Sequence, residues 1–125
     1  MGPVERAVRA NLRDGEELQT PSQSKPFWVA RVDGRGIVLL FGTGRWETRI
    51  PWEALEGVPD LLRGQGWVRT TGSFAVDSDT TSFSGYLKQF VNRETANWVA
   101  VVLEKAEVLD LDRSRPVSAR LCDGY

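Results

Sequence analysis

The sequence predicts a single α+β domain, in which a small, mostly antiparallel sheet is followed by a helix pair and a β-hairpin. The chain has 125 residues, which is the usual size of one domain. Residues 27–50 hold three short apolar segments separated by turns that contain glycine, a pattern typical of an antiparallel meander. Residues 83–106 then carry apolar side chains at helical spacing, and two short strand-like segments follow them.

Composition divides the chain into an N-terminal arm, residues 1–26, and the α+β domain, residues 27–125. Val4 to Asp14 has its apolar side chains near one face and its arginines near another, which predicts a short helix. Glu16 to Pro26 is polar and rich in serine and proline. We therefore expect a linker or an extended arm there.

The sheet-rich part of the domain covers residues 27–72. In the third apolar segment, apolar and charged residues alternate, which indicates a half-buried strand. Proline then begins two short helical turns, and a fourth strand follows. The four predicted strands are Phe27 to Val32, Ile37 to Phe41, Arg45 to Ile50 and Gly66 to Thr71.

A polar loop, Ser73 to Ser82, separates the sheet-rich part from residues 83–125, and we expect it to be mobile. Two helices are predicted after it, Phe83 to Val91 and Arg93 to Ala106. In the second, Trp98 belongs to an apolar stripe that should face the core. The chain ends in a hairpin with strands Val108 to Leu111 and Val117 to Leu121, which are the last elements predicted.

Residue types that are absent exclude several classes of site. The chain has no histidine, and Cys122 is its one cysteine. Ser-His-Asp and Cys-His catalysis, histidine-containing metal sites, an internal disulfide and a thiolate zinc site are therefore excluded. Sixteen Lys and Arg against 17 Asp and Glu give a net charge of -1, which excludes nucleic-acid binding by bulk charge alone. We expect no enzymatic activity, no cofactor and no metal ion.

Nothing in the sequence predicts a membrane segment. The longest apolar run, Ile37 to Phe41, is far shorter than the ~20 residues that span a bilayer. The first residues lack the apolar core of a secretory signal. With one unpaired cysteine, a cytoplasmic location is expected.

The order of elements in residues 83–125 resembles that of winged-helix modules as a class. That resemblance implies that Glu94 to Ala106 is a recognition helix and that Asp112 to Pro116 is the tip of a wing. Arg93, Arg113 and Arg115 would then contact phosphates. Acidic side chains on the expected solvent face of this helix, Glu94 and Glu104, would repel phosphate, and a plain packing unit is the alternative.

A second candidate surface is one face of the sheet. Period-two alternation predicts that Phe27, Val29 and Arg31 share a face, as do Arg45, Glu47 and Arg49, and also Trp67, Arg69 and Thr71. If these faces coincide, arginine and aromatic side chains would together bind phosphate and stack unpaired bases. Ordinary surface ion pairs among Arg31, Glu47 and Arg49 are the alternative.

The sequence therefore predicts a non-enzymatic recognition module that binds nucleic acid. The alternative is a protein-interaction or homodimerisation domain that uses the same aromatic side chains. Of the five tryptophans, Trp28, Trp46 and Trp98 are expected to face inward. The candidate nucleic-acid-binding residues are Arg31, Arg45, Arg49, Trp67, Arg69, Arg93, Arg113 and Arg115.

Overall fold

Two antiparallel sheets and the helices packed beside them form a mixed α+β fold, which confirms the predicted class. The computed structural model describes residues 2–21, 24–42, 44, 46–70, 82–91, 94–114 and 117–124. Its helices are α1 (Pro3–Asn11), α2 (Trp52–Glu56), α3 (Val58–Leu62), α4 (Phe83–Lys88) and α5 (Ala96–Lys105). Its strands are β1 (Glu16–Gln19), β2 (Pro26–Asp33), β3 (Gly36–Phe41), β4 (Trp46–Pro51), β5 (Val68–Arg69), β6 (Leu109–Asp112) and β7 (Ser118–Leu121).

The first sheet is a meander of four strands in the order β1-β2-β3-β4. The predicted meander of β2, β3 and β4 is present, with Leu39 of β3 between Val29 and Thr48 of its neighbours. The segment expected as a linker or arm supplies β1, which pairs with β2 from Glu16 opposite Val29 to Gln19 opposite Pro26. Its polar composition suits an edge strand, because only one side of such a strand is paired.

A β-bulge in β2 changes which side chains share a face. The pairing with β3 shifts between Val29 and Arg31, so that Val29 lies opposite Leu39 and Arg31 lies opposite Val38. Phe27 and Val29 are fully buried, whereas Arg31 is exposed on the other face. The expectation that Phe27, Val29 and Arg31 share a face is therefore wrong, since an extra residue in one strand reverses the alternation after it.

Helix α1 is part of the core. Its Val4 and Val8 side chains are fully buried. The carboxylate of Glu56 on α2 accepts hydrogen bonds from the backbone N–H groups of Val4 at 3.1 Å and Glu5 at 2.9 Å. These N–H groups have no partner within the helix, so a residue distant in sequence satisfies the start of α1.

The second sheet has the order β5-β7-β6. Strand β5 falls within the predicted strand Gly66 to Thr71, and it pairs with β7 rather than with the meander. The predicted sequence of helix, helix, strand and strand occurs as α4, α5, β6 and β7, but a winged-helix arrangement is not confirmed. The predicted loop, Ser73 to Ser82, lies outside the described residues except for Ser82.

Helix α5 is buried over most of its surface. Ala96 and the run from Val99 to Leu103 are buried, and Lys105 is its exposed residue. Val101 is only 4% exposed. Trp98, expected in the core, is half-buried. The helix departs from the expected amphipathic pattern because more than one element covers it, including α1, β1 and β6. Within the described ranges, no helix has the length and apolar character needed to cross a bilayer.

Candidate nucleic-acid interface and aromatic pocket

The arginines of the first sheet lie together, but each is paired with a carboxylate. Arg31 contacts Asp33 at 3.5 Å and Glu47 at 3.3 Å, and Arg49 contacts Asp33 at 2.6 Å. Two guanidinium ions and two carboxylates leave this patch without net charge. The ion pairs weighed as the alternative are thus the observed arrangement, and this face offers little attraction to phosphate.

Asp33 is the centre of that patch. Its Oδ1 accepts hydrogen bonds from Arg49, from the Arg35 N–H at 2.9 Å and from the Gly36 N–H at 3.2 Å. The bond from Arg49 is the main reason that the pKa of Asp33 lies far below its usual range. The backbone carbonyl of Asp33 accepts from Trp52 Nε1 at 2.7 Å. Asp33 therefore joins the β2–β3 turn to β4 and α2, which is a structural role.

The outer face of the second sheet keeps the predicted combination of tryptophan and arginine. Ala119 of β7 is buried, so its neighbours Ser118 and Arg120 point outward, and Arg69 of β5 lies opposite Ser118. Trp67 precedes β5 and is 47% exposed. The guanidinium carbon of Arg120 lies 4.6 Å from the centre of the Trp67 ring. We call Trp67, Arg69 and Arg120 the second-sheet face.

Arg120 is absent from the sequence-based candidates. The signal for it was available, because it alternates with Ala119 in a predicted strand. What the sequence did not contain was the order of the strands, which places Arg120 beside Trp67 rather than beside other residues.

Carboxylates occupy the β6 edge of the same sheet. Asp110 lies opposite Arg120 and contacts it at 3.2 Å, and Asp112 lies opposite Ser118. Burial and the neighbouring Asp110 raise the pKa of Cys122 to about 11, so this thiol is protonated and unreactive at neutral pH. The sheet is thus basic along β5 and β7 and acidic along β6.

The remaining predicted residues are not brought together in the described parts of the chain. Arg113 forms a two-point ion pair with Glu104 of α5, and that contact raises the pKa of Arg113. Arg45, Arg93 and Arg115 lie outside the described residues. With Lys105 as its exposed residue, α5 has no free face of the kind that enters a major groove.

An aromatic pocket opens where β1 ends and β2 begins. Its volume is about 530 Å³, and Trp28, Phe41 and Trp98 form its walls, with Thr20 and Lys25 at its polar side. The rings of Phe41 and Trp98 stack with centres 4.0 Å apart and planes 8° apart. Phe41 comes from β3 and Trp98 from α5, so tertiary packing alone assembles this site.

Trp46 lies beside the pocket and not in the core. It is 64% exposed, and a Cβ atom on Gly42 would come within 3.1 Å of its Cδ1 atom. Trp46 was expected to face inward. It does share a face with Thr48 and Ile50, as the alternation predicts, but its side chain is not buried as theirs are. It is exposed because it begins β4, at the open end of the sheet.

Among the described residues, no group of three or more His, Cys, Asp or Glu side chains could hold a metal ion.

A scan against protein-family models, a search of curated proteins and a search of solved structures each find no match to this chain.

Proposed function

We propose that the chain is a non-enzymatic nucleic-acid-binding module that uses the second-sheet face. The observation that supports this most directly is the exposed Trp67 ring with the Arg120 guanidinium stacked on it. Aromatic rings stack unpaired bases of any sequence, and planar guanidinium ions both stack and bind phosphate. A base added to this pair would extend an existing stack.

The charges on the sheet favour one path for the nucleic acid. Arg69 and Arg120 lie on β5 and β7, whereas Asp110 and Asp112 lie on β6. A phosphate backbone is therefore attracted along β5 and β7 and repelled from β6. Because stacking needs a base that is not already paired, a single strand fits this face better than a duplex.

The test is a titration of labelled single-stranded and double-stranded DNA and RNA, followed by fluorescence anisotropy at two salt concentrations. We expect single strands to bind more tightly than duplexes. Trp67→Ala should cost about 1–3 kcal/mol and leave the salt dependence nearly unchanged. Arg69→Ala and Arg120→Ala should each reduce the salt slope for a single strand by about 0.7.

Arg31→Ala is the matched control, because Arg31, like Arg120, is an exposed arginine on a strand that is paired with a carboxylate, but it lies on the first sheet and not beside Trp67. It should leave binding unchanged. No binding of any oligonucleotide at low salt would overturn the proposal. Loss of binding on substitution of Arg93, Arg113 or Arg115 would place the interface in the helix–helix–hairpin part instead.

A protein-interaction or homodimerisation role is the second candidate, and the exposed Trp46 favours it. Large aromatic side chains at the surface are enriched in protein interfaces. Sedimentation over a range of protein concentrations distinguishes the two functions. Self-association that persists at high salt and is lost in Trp46→Ser would support the interface, since apolar contacts respond little to salt.

A further inference from the structure

We propose that the aromatic pocket binds a planar aromatic ring that carries an anionic group, with the ring against the stacked pair of Trp98 and Phe41 and the anion at Lys25. This site is separate from the second-sheet face, and the proposal does not depend on nucleic-acid binding there. A volume of about 530 Å³ falls within the range of small-molecule sites, about 300–1,000 Å³.

The walls favour a flat ring. Phe41 and Trp98 are already stacked nearly parallel, so the pocket is bounded by a preformed layer of π-systems. Offset stacking on such a layer stabilises a bound ring beyond the burial of its apolar area. The remaining wall comes from Trp28, Pro26 and Gly42, which add apolar surface and backbone.

The charge at the pocket decides between ligand classes. Of the described residues that line it, Lys25 is the charged one, and no carboxylate is among them. An aromatic cage for a cationic ligand would place the cation near Lys25, where like charges repel. A ring with a carboxylate, sulfonate or phosphate gains a charge-assisted hydrogen bond from the Lys25 ammonium ion.

The polar side of the pocket is held in place by the β1–β2 turn. The Thr20 N–H donates to the Lys25 carbonyl at 2.9 Å, and the Lys25 N–H donates to Thr20 Oγ1 at 3.0 Å. These two bonds fix the backbone of Lys25, while its side chain is exposed to solvent. The hydrogen-bonded backbone of Lys25 therefore positions its ammonium ion at the edge of the apolar walls, where an anionic group can contact it.

The experiment is isothermal titration calorimetry of the full chain with three naphthalene probes of one size: naphthalenesulfonate, naphthol and naphthylmethylammonium. We expect the anion to bind most tightly and the cation most weakly. In parallel, adenosine monophosphate is compared with adenosine, which shows whether nucleotides belong to the accepted anions. Two-dimensional NMR locates each probe through the indole N–H signals of Trp28, Trp98 and Trp67.

Lys25→Gln should weaken naphthalenesulfonate about fivefold or more and leave naphthol unchanged. Lys105→Gln makes the same charge change at a lysine that does not line this pocket, and it should affect neither probe. Trp28→Leu should weaken both probes, with circular dichroism to verify folding. Four results would each overturn the proposal: equal affinity for the three probes, tightest binding of the cation, no saturable binding, or NMR shifts confined to the indole N–H signal of Trp67.

Discussion

Replacing Trp98 by alanine tests the contact that joins the two parts of the fold. The indole of Trp98 on α5 stacks on Phe41 of β3 at 4.0 Å. Deleting a fully buried large aromatic side chain costs about 3–5 kcal/mol, and Trp98 is half-buried, so about half of that applies. An aromatic pair adds about 0.5–1.5 kcal/mol. We therefore expect Trp98→Ala to lower the free energy of unfolding by about 2–4 kcal/mol.

The measurement is urea denaturation followed by far-ultraviolet circular dichroism, with Trp46→Ala as the control. Trp46 is also a tryptophan beside the pocket, but it is 64% exposed, and its loss should cost less than about 1 kcal/mol. Trp98→Phe, which preserves a stacked ring, should fall between the two. A loss below about 1 kcal/mol for Trp98→Ala, or equal losses for Trp98 and Trp46, would refute the stack as a stabilising contact.

Three further predictions concern the backbone and the ion pair of Asp33. Glu107 follows α5 with a φ of 67°, so Glu107→Gly should raise the free energy of unfolding by about 0.5–1 kcal/mol, whereas Glu107→Ala should not; urea denaturation measures both. Gly36 has a φ of 153°, and an added Cβ would clash with the Ile50 carbonyl oxygen. Gly36→Ala should therefore lower the free energy of unfolding by at least about 2 kcal/mol in the same assay, whereas Gly34→Ala, whose Cβ would meet open space, should change it little. The pKa of Asp33 is lower in the folded state than in the unfolded chain. The ionised carboxylate therefore stabilises the fold fully when the pH is above the ordinary pKa of aspartate, and this stabilisation declines as the pH falls below about 4. Asp33→Asn should therefore lower the melting temperature at neutral pH, and its deficit should narrow in acid; a deficit independent of pH would contradict the ion pair.

The local pattern of apolar and polar residues was sufficient to predict the class of the fold. The alternation from Trp46 to Ile50 and the apolar run of β3 predicted a meander, and both depend on a period of two that the sequence displays directly. The bulge between Val29 and Arg31 carries no such signal. The Val32 N–H, next to the bulge, donates a hydrogen bond to the carboxylate of Asp14, which is 18 residues away in sequence, so local alternation could not predict the face of Arg31.

Pairing between residues distant in sequence explains the other differences between the sequence-based predictions and the structure. Polar residues 16–19 form a strand only because β2 offers them an edge, and Val68 and Arg69 join β7, about 50 residues away. The candidate site followed the same rule: the exposed Trp67 and Arg69 were found from alternation, whereas their neighbour Arg120 depended on strand order. Which arginines are neutralised by Asp33, Glu47 or Glu104 was equally a matter of tertiary contact.

The number of arginines on the second-sheet face sets how binding should respond to salt. If Arg69 and Arg120 alone contact phosphates, about two counterions are displaced, and the slope of log K against log salt for a single strand is about -1.4. Affinity should then fall only about sevenfold between 50 and 200 mM salt, and stacking on Trp67 should supply most of the binding energy. Measuring the slope by anisotropy at four salt concentrations tests this directly. A slope near -4 would require about six phosphate contacts, more than the second-sheet face provides, and would identify Arg45, Arg93 and Arg115 as the residues to substitute next.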